Sequence, residues 1–160
     1  MILMKKVGIA AACLLLALSL KGCQDLCGML LFCWMANDDD RAAKSEIFAY
    51  VQENEDSLLA CIEQNDYSAL PESPVIRSVE LRHGYIDFDC GGAGMGPDTA
   101  YRGFFYSEQD DLLAVWCAPD PGVKGLTPKG AGYFWKEGGG DNTYYVEHIC
   151  GHFYYYDAEF

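Results

Sequence analysis

The sequence predicts an α+β domain, with one N-terminal amphipathic helix packed on an antiparallel β-sheet of about six or seven strands joined in hairpins. Three observations carry that expectation. Between Ser45 and Ile62 the apolar residues recur at helical spacing. Beyond Pro74 the period falls to two. Turn-forming clusters then separate the alternating runs: RHG, GGAGMGPDT, APDPGVKGLTPKGAG, GGGDN and GH. Neither an internal repeat nor the strand–helix–strand alternation of a parallel sheet is present.

The chain opens with Lys5 and Lys6, followed by VGIAAACLLLALSL, 14 uncharged residues at 7–20. A bilayer-spanning helix needs about 20 apolar residues, whereas the core of an export signal needs roughly 7 to 15. The run therefore reads as a signal. It ends at Leu20-Lys21-Gly22-Cys23, which resembles a bacterial lipobox, with Lys21 where a small or apolar residue is usual. That resemblance implies cleavage after residue 22 and a diacylglycerol on the Cys23 thiol. A second apolar run, LCGMLLFCWMA at 26–36, is again too short to span a bilayer. It reads as part of a membrane-proximal tether over 23–37. Two placements stay open: in the interface, with Phe32 and Trp34 at headgroup level, or folded back as core. Residues 38–160 then form a single α+β domain.

Within that domain, Asn37 to Asp40 offer N-caps for a helix and place negative charge at its N-terminus, where the dipole favours it. Ile47, Val51, Leu58 and Ile62 form one apolar stripe, with Phe48 and Leu59 beside it. Pro71 and Pro74 end the pattern. A first hairpin pairs residues 75–81 with 85–90 through Arg82-His83-Gly84. It sets Tyr85, Asp87 and Asp89 on a wet face and Ile86, Phe88 and Cys90 on a buried one. GGAGMGPDT reads as a flexible loop. YRGFFYSEQDDLLAVWC reads as a second hairpin turning at residues 108–111, and GYFWK as a further strand. The end of the chain reads as a last hairpin with a type II′ turn at Gly151-His152, setting Ile149 opposite Tyr154 and His148 opposite Tyr155.

Cleavage before Cys23 would remove 22 residues and three lysines. The remaining 138 residues carry 8 basic against 24 acidic side chains, a net charge of −16. Such a chain repels nucleic acid and anionic headgroups. Where charge guides association, its partners are cationic. Of eight cysteines, Cys13 leaves with the signal and Cys23 takes the lipid. Cys27, Cys33, Cys61, Cys90, Cys117 and Cys150 remain, an even number that permits disulfides without choosing among pairings.

Little in the sequence assembles a catalytic centre. In HICGH, His148, Cys150 and His152 would share a face on one continuous strand and could hold zinc. The turn at Gly151-His152 breaks that face, and the zinc-protease pattern of two His on a helix with an intervening Glu is missing. GGAGMG has Pro97 where a dinucleotide fingerprint needs its third Gly. Asp87 and Asp89, Asp38 to Asp40, and Asp110-Asp111 could offer oxygens to calcium, but none shows the spaced ligand loop of a calcium site. No cofactor is expected. Tyr144, Tyr145, Tyr154, Tyr155 and Tyr156 carry two readings: an exposed cluster that binds a peptide, glycan or protein, or core on both sheet faces under the helix and a loop.

The segments SEIFAYVQENEDSLLACIEQ, IDFDCGGAGMGPDTAYRGFFYSEQDD and GGGDNTYYVEHICGHFYYYDAEF resemble a group of short, uncharacterised exported or lipid-anchored proteins of clostridial gut bacteria. The likeness covers most of residues 45–160. It implies export or a lipid anchor and a helix-then-sheet layout, and carries over no functional residue. The expectation for function is thus a non-enzymatic, lipid-anchored protein on the outer face of a bacterial cell membrane. It would bind an envelope protein, peptide or glycan, or serve a structural role. The alternatives are an envelope metal-binding protein or hydrolase using the His148/Cys150 region, and an inhibitor or immunity-type protein.

Overall fold

The computed structural model describes residues 42–95, 98–120 and 125–160. The signal at 1–22, the lipidated Cys23, the tether at 23–37 and the caps at Asn37 to Asp40 lie outside the described residues.

Helix α1 spans Lys44–Gln64 and precedes every strand among the described residues. Its N-cap is Ala43, whose backbone N–H donates to the Glu46 carboxylate at 3.0 Å. Ile47, Tyr50, Val51, Leu58 and Cys61 are its buried residues. The helix kinks at Asn54 (φ −120°), whose side-chain amide donates to the Tyr50 carbonyl at 2.8 Å. It stops well before Pro71. Asn65 adopts the left-handed region (φ 50°) and its N–H closes the last turn on Cys61 and Ile62. Asn is the residue after Gly that best tolerates this conformation. Asp66 then accepts from the Ser68 N–H, starting a single 3₁₀ turn, Tyr67–Ala69.

The seven strands are β1 (Ser78–Arg82), β2 (Tyr85–Met95), β3 (Asp98–Tyr106), β4 (Thr127–Lys129), β5 (Gly132–Lys136), β6 (Thr143–Cys150) and β7 (Phe153–Glu159). All pairings are antiparallel, in the order β1-β2-β3-β7-β6-β5-β4. Two meanders, β1 to β3 and β4 to β7, therefore meet along β3 and β7.

Four expectations about strands and turns are corrected. β1 starts three residues later than the alternation suggested, because the Ser73 hydroxyl accepts from the N–H groups of Val75 and Ile76 and holds them in a turn. The glycine-rich stretch is largely strand: β2 and β3 stay paired from Gly92/Tyr101 to Met95/Asp98, past a bulge between Asp89 and Gly92. Glycines leave no side-chain period to read, yet their backbones pair, and Gly92 suits a close approach, since a Cβ there would lie 3.1 Å from the Ala100 carbonyl. The second hairpin does not form. β3 pairs with β7 instead, and residues 112–117 hold turns and a bend rather than strand. In the last hairpin Cys150 pairs with Phe153 across Gly151 (φ 48°) and His152, but a bulge shifts the register, setting His148 opposite Tyr154 and Glu147 opposite Tyr155. The extra residue lets both Ile149 and Cys150 pack on the helix side of the sheet.

Both faces of the sheet centre are buried, not one. Helix α1 covers the first, where Ile47, Tyr50, Val51 and Leu58 meet Phe88, Phe104, Ile149, Phe153 and Tyr155. Phe88 and Phe104 stand opposite each other in register and stack at 4.5 Å. Residues 112–118 cover the second, lying with Leu126, Trp135 and Phe160 over Tyr85, Phe105, Tyr144, Val146, Tyr154, Tyr156 and Ala158. The covering segment is tied down where the Tyr144 hydroxyl donates to the Leu112 carbonyl at 2.8 Å. No described helix is long and apolar enough to cross a membrane.

The start of α1 is fastened to the sheet by the Ala42 N–H, which donates to the Cys90 carbonyl at 2.9 Å, and by two charged side chains. Arg102 pairs with Asp157, its register partner on β7, at 2.7 Å and donates to the Ala42 carbonyl at 3.2 Å. Lys44 pairs with Glu147 and sits 4.9 to 5.3 Å from the ring centroids of Phe48, Tyr145 and Tyr155. Burial opposes the Lys44 charge, but the Glu147 hydrogen bond and charge outweigh it and raise the lysine pKa. Burial likewise opposes the Glu147 charge, and hydrogen bonds from Lys44 and Tyr145 overcome it, lowering the carboxyl pKa. Replacing Lys44→Met, which keeps the stem and removes the charge, is expected to destabilise the domain by about 1–2 kcal/mol in chemical denaturation. The effect should be non-additive with Glu147→Gln. An unchanged midpoint would mean that the aromatic box and ion pair contribute nothing to docking of the helix.

Candidate functional site

A cleft of about 300 Å³ opens on the sheet face opposite the helix, lined by Ser78, Glu80, Arg82, Asp87, Asp89, Tyr101 and Trp116. Alternation on β1 brings Ser78, Glu80 and Arg82 to one side, and the register sets Ser78 opposite Asp89 and Glu80 opposite Asp87. β3 supplies Tyr101. Trp116 comes from the segment that crosses this face between β3 and β4.

Asp87 is the organising group. It is 2% exposed, and both carboxylate oxygens are engaged: Trp116 Nε1 donates to Oδ2 at 3.0 Å and the Tyr156 hydroxyl donates to Oδ1 at 3.1 Å. Neither donor carries a charge. Tyr156 reaches Asp87 across β3 because Gly103 lies between them: a Cβ on Gly103 would stand 2.5 Å from the Phe88 carbonyl and 2.7 Å from the Tyr156 hydroxyl. Trp116 is 47% exposed despite its size. Its ring meets Tyr101 edge-on at 4.9 Å and stacks on Phe160 at 6.5 Å.

Burial is the main force on Asp87. It outweighs the two hydrogen bonds, the neighbouring Asp89 and Glu80 push the same way, and together they move the carboxyl up to about 6. Glu80 pairs with Arg82 on the exposed edge strand, and the Asp89 carboxylate accepts from the Gly91 N–H at 3.3 Å. Three carboxylates and the Arg82 guanidinium line one small space with an aromatic wall. Such a space can take a positively charged group.

The residues singled out in the sequence are distributed differently. Asp87 is not on a wet face, because Trp116 and Tyr156 cover it. Of the tyrosine cluster, Tyr144, Tyr154, Tyr155 and Tyr156 are buried, and only Tyr145 is partly exposed. Tyr155 lies under the helix, while Tyr144, Tyr154 and Tyr156 lie under the crossing segment. Core on both faces is the reading that describes them. His148 faces the crossing-segment side, its ring 5.3 Å from Tyr154, and its Nε2 lies 2.8 Å from the Gly151 carbonyl. His152 Nδ1 lies 2.7 Å from Asp110. Cys150 packs on the helix side, where burial and Glu55 push its thiol up to about 11. His148 and Cys150 therefore point to opposite faces. Among the described residues no three His, Cys, Asp or Glu side chains converge on a metal-sized point. Cys61, Cys90, Cys117 and Cys150 are free thiols, and burial raises those of Cys90 and Cys117 further.

Trp116 and Tyr101 were not legible as site residues. The run LLAVWC mimics a strand, and only the crossing segment brings its indole over Asp87. No family model, characterised protein or solved structure matches the chain.

Two outcomes follow from this geometry. Gly103→Ala should destabilise the domain by about 2–3 kcal/mol, since backbone on one side and Tyr156 on the other leave no room for the methyl group. A thermal midpoint equal to wild type would show that the strand relaxes freely. The second concerns pH. The Asp87 carboxyl loses its proton near 3.8 when unfolded and near 6 when folded. Between those values the native state binds more protons than the unfolded chain, so stability from this group falls as pH rises and is fully lost above about 6. Asp87→Asn removes that dependence. Its stability relative to wild type should improve by about 2–3 kcal/mol between about pH 4 and about pH 7.5. Parallel denaturation curves at the two pH values read the difference, and a constant offset would refute the assignment.

Proposed function

We propose that the chain is a non-enzymatic binding module of a bacterial envelope, held on the outer face of the cell membrane by a lipid on Cys23. The observation that supports a binding role is the Asp87 cleft: a buried carboxylate with uncharged donors, beside a half-exposed tryptophan, open at the edge of the sheet. Burying such a carboxylate with only uncharged donors on its oxygens costs stability, and a positively charged group entering the cleft would offset that cost. The anchor is supported by the short apolar signal and by Leu20, Gly22 and Cys23. The strong negative charge of the mature chain favours cationic partners and disfavours nucleic acid. The partner in this reading is an envelope protein, peptide or glycan that presents a positive group. A metal site or hydrolase built on His148 and Cys150 draws no support from side chains that face opposite sides of the sheet.

Intact mass of the membrane-extracted protein, made in a bacterium with and without an inhibitor of lipoprotein signal cleavage, tests the anchor. The expected result is a mature chain beginning at a diacylglycerol-modified Cys23, with the modification lost in Cys23→Ala. An unmodified chain would show that Lys21 disables the lipobox, and the anchor would be abandoned.

A further inference from the structure

The two outer strands of the sheet, β1 and β4, are finished differently. In each, a two-residue turn leads to the neighbouring strand, His83-Gly84 after β1 and Gly130-Ala131 after β4. Such a turn sets its flanking residues in a hydrogen-bonded pair, and the antiparallel ladder alternates from there. Arg82, Glu80 and Ser78 therefore direct their backbone groups at β2, and Leu81 and Val79 direct theirs outwards. On β4, Lys129 and Thr127 face β5 and Pro128 faces outwards. Proline has no N–H, so the outward position of this three-residue strand carries no donor, and the edge is closed to another strand. β1 has five residues and no proline. Among the described residues, no hydrogen bond reaches the backbone of Val79 or Leu81 from outside the sheet.

The side chains of β1 give this open edge a pattern. Val79 packs against the helix-side core. Leu81 lies on the same face by alternation and is 54% exposed, more than any other large apolar side chain of the described residues. Glu80 and Arg82 lie on the other face, half exposed and paired with each other. An exposed pair of this kind is weak, so both charges can answer to a neighbouring strand. Opposite charges attract across a strand pair and like charges repel. The strand that fits carries an acidic residue opposite Arg82, a basic one opposite Glu80, and apolar ones opposite Leu81 and Val79. A second copy of β1 does not fit. Antiparallel pairing over its full length sets the two Glu80 side chains opposite each other. The register that matches Glu80 with Arg82 keeps only Glu80, Leu81 and Arg82 in contact, and a net charge of −13 opposes the approach of two copies.

We infer that the outer edge of β1 is a docking site for an extended segment of a partner protein, which joins the sheet as a further antiparallel strand. From its N-terminal end the segment presents an acidic, an apolar, a basic and an apolar residue to Arg82, Leu81, Glu80 and Val79. Its backbone bonds the outward N–H and C=O groups of Leu81 and Val79, which supply affinity, and the alternating side chains supply register and choice of partner. Its apolar residues cover Leu81. The inference goes beyond the Asp87 cleft and the lipid anchor, and it stands or falls without either.

Nuclear magnetic resonance of the isotope-labelled full chain in detergent, titrated with the capped peptide EVKVT, tests the site. The Val79 and Leu81 amides should shift saturably and gain protection from hydrogen exchange. The capped peptide KVEVT has the same composition with its charges exchanged, and should bind about fivefold more weakly. Glu80→Arg combined with Arg82→Glu should reverse that preference. Leu81→Pro should abolish binding of both peptides, because an outward position on an edge strand tolerates proline but loses its donor. Unchanged core amide shifts verify that this variant is folded, and the charge exchange on two exposed side chains decides the matter even where it is not. Absence of saturable shifts, equal binding of the two peptides, a preference that the double variant does not reverse, or shifts confined to residues other than those of β1 would each overturn the inference. Protection of the Val79 and Leu81 amides that rises with protein concentration in the absence of peptide would assign the edge to a second copy, and would overturn it as well.

Discussion

The pairing of β3 with β7 is the constraint on which the rest of the structure depends. Each meander is assembled from neighbours in sequence, but β3 and β7 lie about fifty residues apart and pair from Ala100/Glu159 to Tyr106/Phe153. Closing so long a loop costs entropy that only contacts across the finished sheet can recover. The side chains at that seam show where those contacts come from. Phe104 and Phe105 face Tyr155 and Tyr154 in register, and all four are buried on one face or the other. Two central strands with apolar residues at successive positions must be covered on both sides. One helix can cover one side only, which is why the connection between β3 and β4 has to cross the other.

The cleft follows from that second cover. The crossing segment leaves the outer part of the sheet open beyond Trp116, so the edge strand β1 and the neighbouring part of β2 carry a wet rim next to a dry centre. Asp87 lies on the boundary. On β2 it alternates with Phe88 and belongs to the face that would be solvated in an isolated hairpin. The approach of Trp116 and Tyr156 converts it into a buried acid. The gap at Gly103 is what allows Tyr156 to reach it, so the glycine in the central strand and the acid at the rim are parts of one arrangement.

Lys44 and Arg102 perform the complementary task on the helix face. Lys44 joins the start of α1 to β6 through Glu147, and Arg102 on β3, held by Asp157 on β7, donates to the Ala42 carbonyl just before the helix. The helix is thus oriented at its first turn by charge and along its length by Ile47, Val51 and Leu58. The kink at Asn54 lets the second half of α1 change direction over the same sheet face.

What the sequence by itself determined is local. The 3.6-residue stripe identified α1, because Ile47, Val51 and Leu58 must share one face whatever they pack against. Alternation identified β1, the first half of β2 and the closing hairpin with its turn at Gly151, because those patterns depend on neighbours a few residues apart. The tertiary structure alone decided the rest. It continued β2 and β3 through glycines that have no side chains to show a period. It moved the partner of β3 from the adjacent run to β7, a choice made by which faces remain to be buried. A single bulge at Ile149 changed the pairing of His148, and sequence alternation cannot register one extra residue. Above all it turned Asp87 from a solvated strand residue into the buried acid of a cleft. Exposure is set by what arrives from elsewhere in the chain, and Trp116 arrives from 29 residues away.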